Sequence, residues 1–217
     1  MLNRGNARQA IFHKDADYEA FERILSQGLD RYSVRLYSFQ LMPNHWHLVL
    51  RSVRDGEMSS FLRWITATHS MRYHVHYHTS GEGHVYQGRF KSLPIQDDEH
   101  FLTVCRYVER NALSANLVKR AEEWRWGSLW HWLQRPMPNP KLSVWPVQRL
   151  PNWLKRVNDA LSERELAQVR ESAQRGSPFG GSDWVNSNAK RLGLESSIRP
   201  RGRPQVRFPS ESDINES

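Results

Sequence analysis

Apolar positions along the first two thirds of the chain alternate between helical and strand spacing. From Asp15 to Leu29, Tyr18, Phe21, Ile24 and Leu25 fall on one helical face, Asp15 or Asp17 can cap the start, and Gly28 suits the end. Tyr32 to Leu41 is rich in Val, Tyr, Phe and Leu and predicts a strand; Pro43-Asn44 is a turn signal, and His45 to Arg51 reads as the returning strand of a hairpin. Met58 to about His74 places Phe61, Trp64, Ile65 and Thr68 at helical spacing. Gly81-Glu82-Gly83 breaks the chain, and His84 to Ile95 is expected to be extended. Asp97 opens a helix through about Ser114, with Phe101, Val104, Cys105 and Val108 as its buried stripe. This order predicts an α+β fold with an antiparallel sheet layered by helices.

A composition break follows Trp132. Arg135-Pro-Met-Pro-Asn-Pro reads as a linker or wrapping loop, because proline restricts both itself and the residue before it. A second helical unit begins near Pro151, where Ser162 and Glu165 form a capping box for a helix through about Gln174, and Asp183 to Leu194 predicts a shorter one. The expected organisation is a first domain over 1–133, a Pro-rich linker over 134–150, and a small helical and basic extension over 151–217. Residues 188–207 carry six basic side chains against Glu195 alone, whereas the last ten residues hold Glu211, Asp213 and Glu216 and no basic residue.

Charge narrows the partners. Lys and Arg number 31 against 23 Asp and Glu, a net +8 with a pI near 9.9. Such an excess attracts polyanions, nucleic acid first among them, although an anionic membrane surface fits the charge equally well. Nine tryptophans beside many arginines suit base stacking as well as core packing. No apolar run reaches the roughly 18–20 residues of a membrane-spanning helix, and the first residues are not of signal-peptide type, so no membrane partner and a cytoplasmic location are expected. The single cysteine, Cys105, excludes an internal disulfide framework and a multi-cysteine zinc site.

Three clusters could carry chemistry. In His45-Trp46-His47, strand alternation turns both imidazoles to one face, about 6.6 Å apart at the usual strand rise, where they can grip one metal ion. His74, His76 and His78, with His84 nearby, would do the same if extended, but as a continuation of the preceding helix they diverge over a solvated surface. Tyr107 and Asn111 are spaced i,i+4 on the Asp97 helix; a phenol can act as a nucleophile and an amide oxygen can complete a ligand set. Arg89 and Lys91 alternate on one face of the extended segment, where they could meet phosphates.

These residues add up to a family resemblance. Met42-Pro43-Asn44-His45-Trp46-His47-Leu48 resembles the HUH motif of single-tyrosine transposases, Tyr86-Gln87-Gly88-Arg89-Phe90-Lys91-Ser92 their following block, and Arg106-Tyr107-Val108-Glu109-Arg110-Asn111 their tyrosine helix. Asn3-Arg4-Gly5-Asn6, and in the C-terminal part Gly176-Ser177-Pro178-Phe179-Gly180, Trp184 and Leu192-Gly193-Leu194, are similar to the REP-associated tyrosine transposases. The resemblance spans nearly the whole chain. It implies a ferredoxin-like antiparallel sheet and a nucleoid-associated enzyme that cuts and rejoins single-stranded DNA at hairpins, as a monomer or homodimer. By the same resemblance, Tyr107 is the nucleophile, His45, His47 and Asn111 are ligands of a divalent ion, Mg²⁺ or Mn²⁺, and Arg4 and Asn6 are DNA contacts. Pro200-Arg201-Gly202-Arg203-Pro204 is similar to an AT-hook core, which would lay Arg201 and Arg203 in a minor groove. The alternative is a catalytically inactive, domesticated protein that only binds a DNA hairpin. Only Met1-Leu2-Asn3 precede Arg4, so the sheet is expected to lack most of the strand that flanks the histidine strand.

Overall fold

The computed structural model describes residues 1–199. Strands β2 (Val34–Met42) and β3 (His45–Ser52) form an antiparallel hairpin around Pro43-Asn44, with Met42 opposite His45 and Val34 opposite Ser52. Proline cannot donate to a ladder, so the chain turns there. A register shift between Leu36 and Ser38 resets the alternation of β2. Tyr37 joins the core on one face, while Leu36, Phe39 and Leu41 join that on the other.

Of the flanking strand, expected to be mostly missing, a three-residue piece is present. Strand β1 (Leu2–Arg4) pairs with β3, Leu2 opposite His47 and Arg4 opposite His45, giving the order β1-β3-β2. These residues face the stretch that carries the histidines, and Met1 continues the pairing, its amino group donating to Leu48 O at 2.8 Å and its carbonyl accepting from Leu48 N at 2.9 Å. His84 to Ile95, expected as an extended strand, is instead irregular, with isolated bridges Gly5–Tyr86 and Leu2–Lys91. Its backbone still meets the outer edge of β1: the Leu2 and Lys91 amides donate to each other's carbonyls at 2.9 and 2.8 Å, and the Gln87 amide donates to Arg4. The segment thus occupies the fourth place of a ferredoxin-like order beside β1 and satisfies an edge that would otherwise be open.

Helices α1 (Asp15–Arg31) and α2 (Glu57–Tyr77) cover one face, burying Phe21, Ile24, Phe61 and Ile65 against Leu41 and Trp46. Gly28 does not end α1. It lies three residues before the end, where an added Cβ would come within 2.7 Å of the Phe61 ring, so its smallness serves close approach of α1 to α2. Asp17 does not occupy the cap position; it reaches back from the first turn to accept from the His13 and Lys14 amides, and from Tyr77 Oη at 2.6 Å. The helix α2 runs on through His74 and His76, and His78 caps it in the left-handed region.

The opposite face carries α3 (Glu99–Glu109), the one-turn α4 (Asn111–Ser114), α5 (Ser128–Leu133), α6 (Trp153–Asn158) and α7 (Glu163–Arg175). The expected continuous Asp97–Ser114 helix starts two residues later, capped by Asp98, and is interrupted at Arg110. Arg110 is drawn to the carbonyls of Val157 and Asn158, and Arg106 to those of Asp159 and Ala160, cations at the C-terminal end of α6. The capping box at Ser162 and Glu165 opens α7 as its sequence predicts. Between α5 and α6, Ser143 N donates to Leu36 O and Trp145 Nε1 to Tyr37 O, so the Pro-rich stretch wraps β2. Helices α8 (Ser182–Leu192) and α9 (Glu195–Ile198) complete the described residues. No helix among them is long and apolar enough to cross a membrane.

Behind the histidine strand, Trp46 Nε1 donates to Tyr86 Oη at 3.0 Å, and Tyr86 Oη is hydrogen-bonded to His69 Nδ1 at 2.7 Å. Burial, partly opposed by Asp17, lowers the His69 pKa to about 4. Unfolded, this side chain protonates near 6.5, so between those values only the unfolded chain takes its proton. Stability therefore falls as pH drops from 6.5 towards 4. His69→Gln is expected to flatten that fall by about 1.4 kcal/mol per pH unit near pH 5.5, read from urea unfolding across the range.

Candidate active site

Alternation along β3 turns Trp46 into the α1–α2 core and leaves His45 and His47 on the α3 side, their ring centroids 5.0 Å apart. Asn44, at the turn, donates from Nδ2 to the Arg8 carbonyl, which aims its Oδ1 at His45 Nδ1, 2.6 Å away. A carbonyl oxygen only accepts, so the His45 proton sits on Nδ1 and the Nε2 lone pair is free. Burial first, then the positive charge of Arg4, lowers the His45 pKa to about 4, an effect partly opposed by Asn111; burial and His45 hold His47 well below its usual value. Both rings are therefore neutral at physiological pH.

Tyr107 and Asn111 reach the same place from the other layer. The Tyr107 ring stands edge-on to His47 with centroids 5.8 Å apart, and Asn111 Nδ2 lies 3.3 Å from His47 Nε2. The break at Arg110 does not separate them, because Arg110 keeps a right-handed helical backbone and its amide still donates to Arg106 O. Two neutral imidazoles and an amide fit a divalent ion of intermediate hardness. The His47 lone pair that faces Asn111 is the one such an ion would take.

A groove of about 570 Å³ opens beside Tyr107. Arg4, Arg89 and Lys91 line it together with Tyr107, as do two cations that nothing in the sequence singled out, Arg8 and Arg170. Arg4 Nε is buried without a hydrogen-bond partner, an orphan donor that an anionic oxygen would satisfy. Asn6 does not line the groove; its Oδ1 accepts from the Ala7 amide of its own loop. Arg201 and Arg203 lie outside the described residues. Arg8 could have been suspected from its place in the Asn3–Arg8 block, whereas Arg170 arrives only through tertiary packing. Asp98, Glu99 and His100 also bring their ligand atoms within 4.8 Å of one another, but Asp98 there accepts from the His100 amide and ring as the N-cap of α3.

Comparison with known proteins bears on the family and the fold. The family described as "Transposase IS200 like" matches residues 1–111, a stretch that contains both histidines, Tyr107 and Asn111. No curated protein matches the chain. A solved structure of a REP-associated tyrosine transposase bound to a REP hairpin is similar over 63% of this chain and 78% of that one, with a TM-score of 0.51 and 17% identity, a likeness of fold.

The Asn44 contact makes a spectroscopic prediction. His45 is expected to show the Nδ1–H tautomer in two-bond ¹H–¹⁵N correlation spectra at neutral pH, and Asn44→Ala to convert it to a mixture. An unchanged pattern in the variant would remove Asn44 as the determinant.

Proposed function

The chain belongs to the IS200-like transposase family, and from that membership we propose that it cleaves and rejoins hairpin-forming, REP-type single-stranded DNA through Tyr107. The observation that carries this reading is the convergence of His45, His47, Tyr107 and Asn111 from two layers of the fold onto one point.

In this reading the scissile phosphate enters beside Arg4, whose unpartnered Nε supplies a donor to a non-bridging oxygen. The Tyr107 oxygen attacks phosphorus, the bond to the 3′ oxygen breaks, and a 5′-phosphotyrosine remains. The phenolic proton passes through solvent to the leaving 3′-hydroxyl. Rejoining is the same step reversed by another 3′-hydroxyl, and the phosphodiester energy is conserved in the covalent bond.

A phenol near pKa 10 is a weak nucleophile at neutral pH, so charge developing in the transition state has to be stabilised by the site. His45, His47 and Asn111 would hold a divalent ion, Mg²⁺ or Mn²⁺, which when bound supplies Lewis-acid stabilisation of the phosphoryl oxygens. Neutral imidazoles are needed for that role, and their burial keeps them neutral well below pH 6.5. The extension over 151–217 would contribute to DNA recognition, and action on chromosomal DNA implies a nucleoid-associated protein.

Two experiments test this. Purified protein with a labelled library of single-stranded hairpins and Mg²⁺ or Mn²⁺ is expected to give a labelled band at protein mass on a denaturing gel. Tyr107→Phe should abolish that adduct and leave hairpin affinity nearly unchanged; an adduct that persists would refute the nucleophile. Binding without any adduct in the native protein would instead indicate the domesticated hairpin binder. Replacing His45 and His47 together by Ala should weaken Mn²⁺ binding by more than about 100-fold, since even outer-shell changes cost about 10–100-fold. Titration calorimetry reads this directly, and undiminished binding would reject the metal assignment.

A further inference from the structure

Helix α7 lies beyond the stretch that matches the family, yet it forms one wall of the groove beside Tyr107, through Arg170, Ala173 and Gln174. Its placement is built rather than incidental. Val169, 2% exposed, is buried in the same apolar cluster as Val104, Cys105 and Val108 of α3, the helix that carries Tyr107. Past its C-terminus the chain returns to the other wall: Phe179 N donates to Pro94 O at 2.8 Å, and Gln96 N to Phe179 O at 3.0 Å. Pro94 lies three residues after Lys91, and Gln87, Gly88, Arg89 and Lys91 of the Tyr86–Lys91 segment line the groove as well. Arg170 sits one residue beyond the buried Val169 and is exposed to the groove. The lining contains five cations, Arg4, Arg8, Arg89, Lys91 and Arg170, and no acidic residue.

We propose that α7 and the Tyr86–Lys91 segment together clamp the single strand adjoining the scissile phosphate, with Arg170 as a phosphate contact. The extension is thereby part of the cleavage site and not only a distant reader of the hairpin. A polyanionic strand is the ligand class that fits a groove with cations on both walls and a volume in the range of about 300–1,000 Å³ typical of ligand clefts. The small Ala173 side chain keeps the passage open. This inference rests on the proposed role of Tyr107 only for its link to cleavage; strand binding by the groove is measured separately.

The test uses the full chain with two labelled probes, a hairpin carrying a short oligo-dT single-stranded extension and the same hairpin without it. Arg170→Ala should lower affinity for the extended probe alone and reduce its slope of log K against log salt by about 0.7, the share of one single-strand phosphate contact. Ala173→Trp, which fills the groove from a half-exposed helix position, should cut adduct formation about 10-fold or more while hairpin affinity stays at the native level. Circular dichroism melting confirms that each variant is folded. The inference is overturned if both folded variants treat the extended probe as the native protein does, or if either raises adduct yield, which would make α7 an obstruction rather than a guide. A native protein that forms no adduct but shows the Arg170-dependent slope would refute the role of Tyr107 and leave the clamp standing.

Discussion

The position of the tyrosine helix depends on a carboxylate buried in the core. Glu109 is wholly inaccessible and sits midway between Tyr107 and Asn111 in sequence. Ser128 Oγ donates to its Oε1 at 2.8 Å and Trp153 Nε1 to its Oε2 at 2.7 Å, with Ser38 Oγ at 3.5 Å. One acidic side chain thus ties α3 to β2, α5 and α6 at once. Burial pushes its pKa up, opposed by Arg149 and these donors. Taking one donor from such a group leaves a buried oxygen unpaired and costs about 1–3 kcal/mol, so the network admits few other arrangements. Each of its contacts fixes the junction of α3 and α4 from which Tyr107 and Asn111 reach the histidines.

The sheet supplies the complementary half by the same economy. Strand alternation divides His45-Trp46-His47 between two layers, and each layer holds its part. Trp46 is locked behind the sheet through Tyr86 to His69, while Asn44 sets the tautomer of His45 in front. The electrostatic design is one-sided. The inferred ligands are uncharged, and the charges around them, Arg4 foremost, are positive. Such a site favours an incoming phosphate, whose negative charge would also offset the repulsion between these cations and a divalent ion.

Much of the fold was legible along the chain because it rests on periodicity. The hairpin, α1, α2 and α7 stand within a few residues of where apolar spacing, the Pro43-Asn44 turn and the Ser162 capping box put them. The departures share a cause, since each was decided by a neighbour distant in sequence. Gly28 reads locally as a helix end, but Phe61 packs against it within the helix. His84 to Ile95 reads as a strand, yet it makes only isolated bridges, to Leu2 and Gly5 at one end and to Phe179 at the other, and stays irregular. The Asp97 helix breaks at Arg110, where the carbonyls at the end of α6 draw the guanidinium.

By itself the sequence determined the types of group available, two imidazoles on one strand face and a phenol and an amide one helical turn apart, because spacing along a regular element sets direction. Tertiary structure alone decided that those two pairs meet, through the buried Glu109 network and the packing of α3 on the sheet. It also decided that Arg8 and Arg170 join Arg4, Arg89 and Lys91 around one groove while Asn6 does not. Local preference acts over a few residues, whereas this site draws on side chains from Arg4 to Arg170, and only burial of a common core brings such distant positions together.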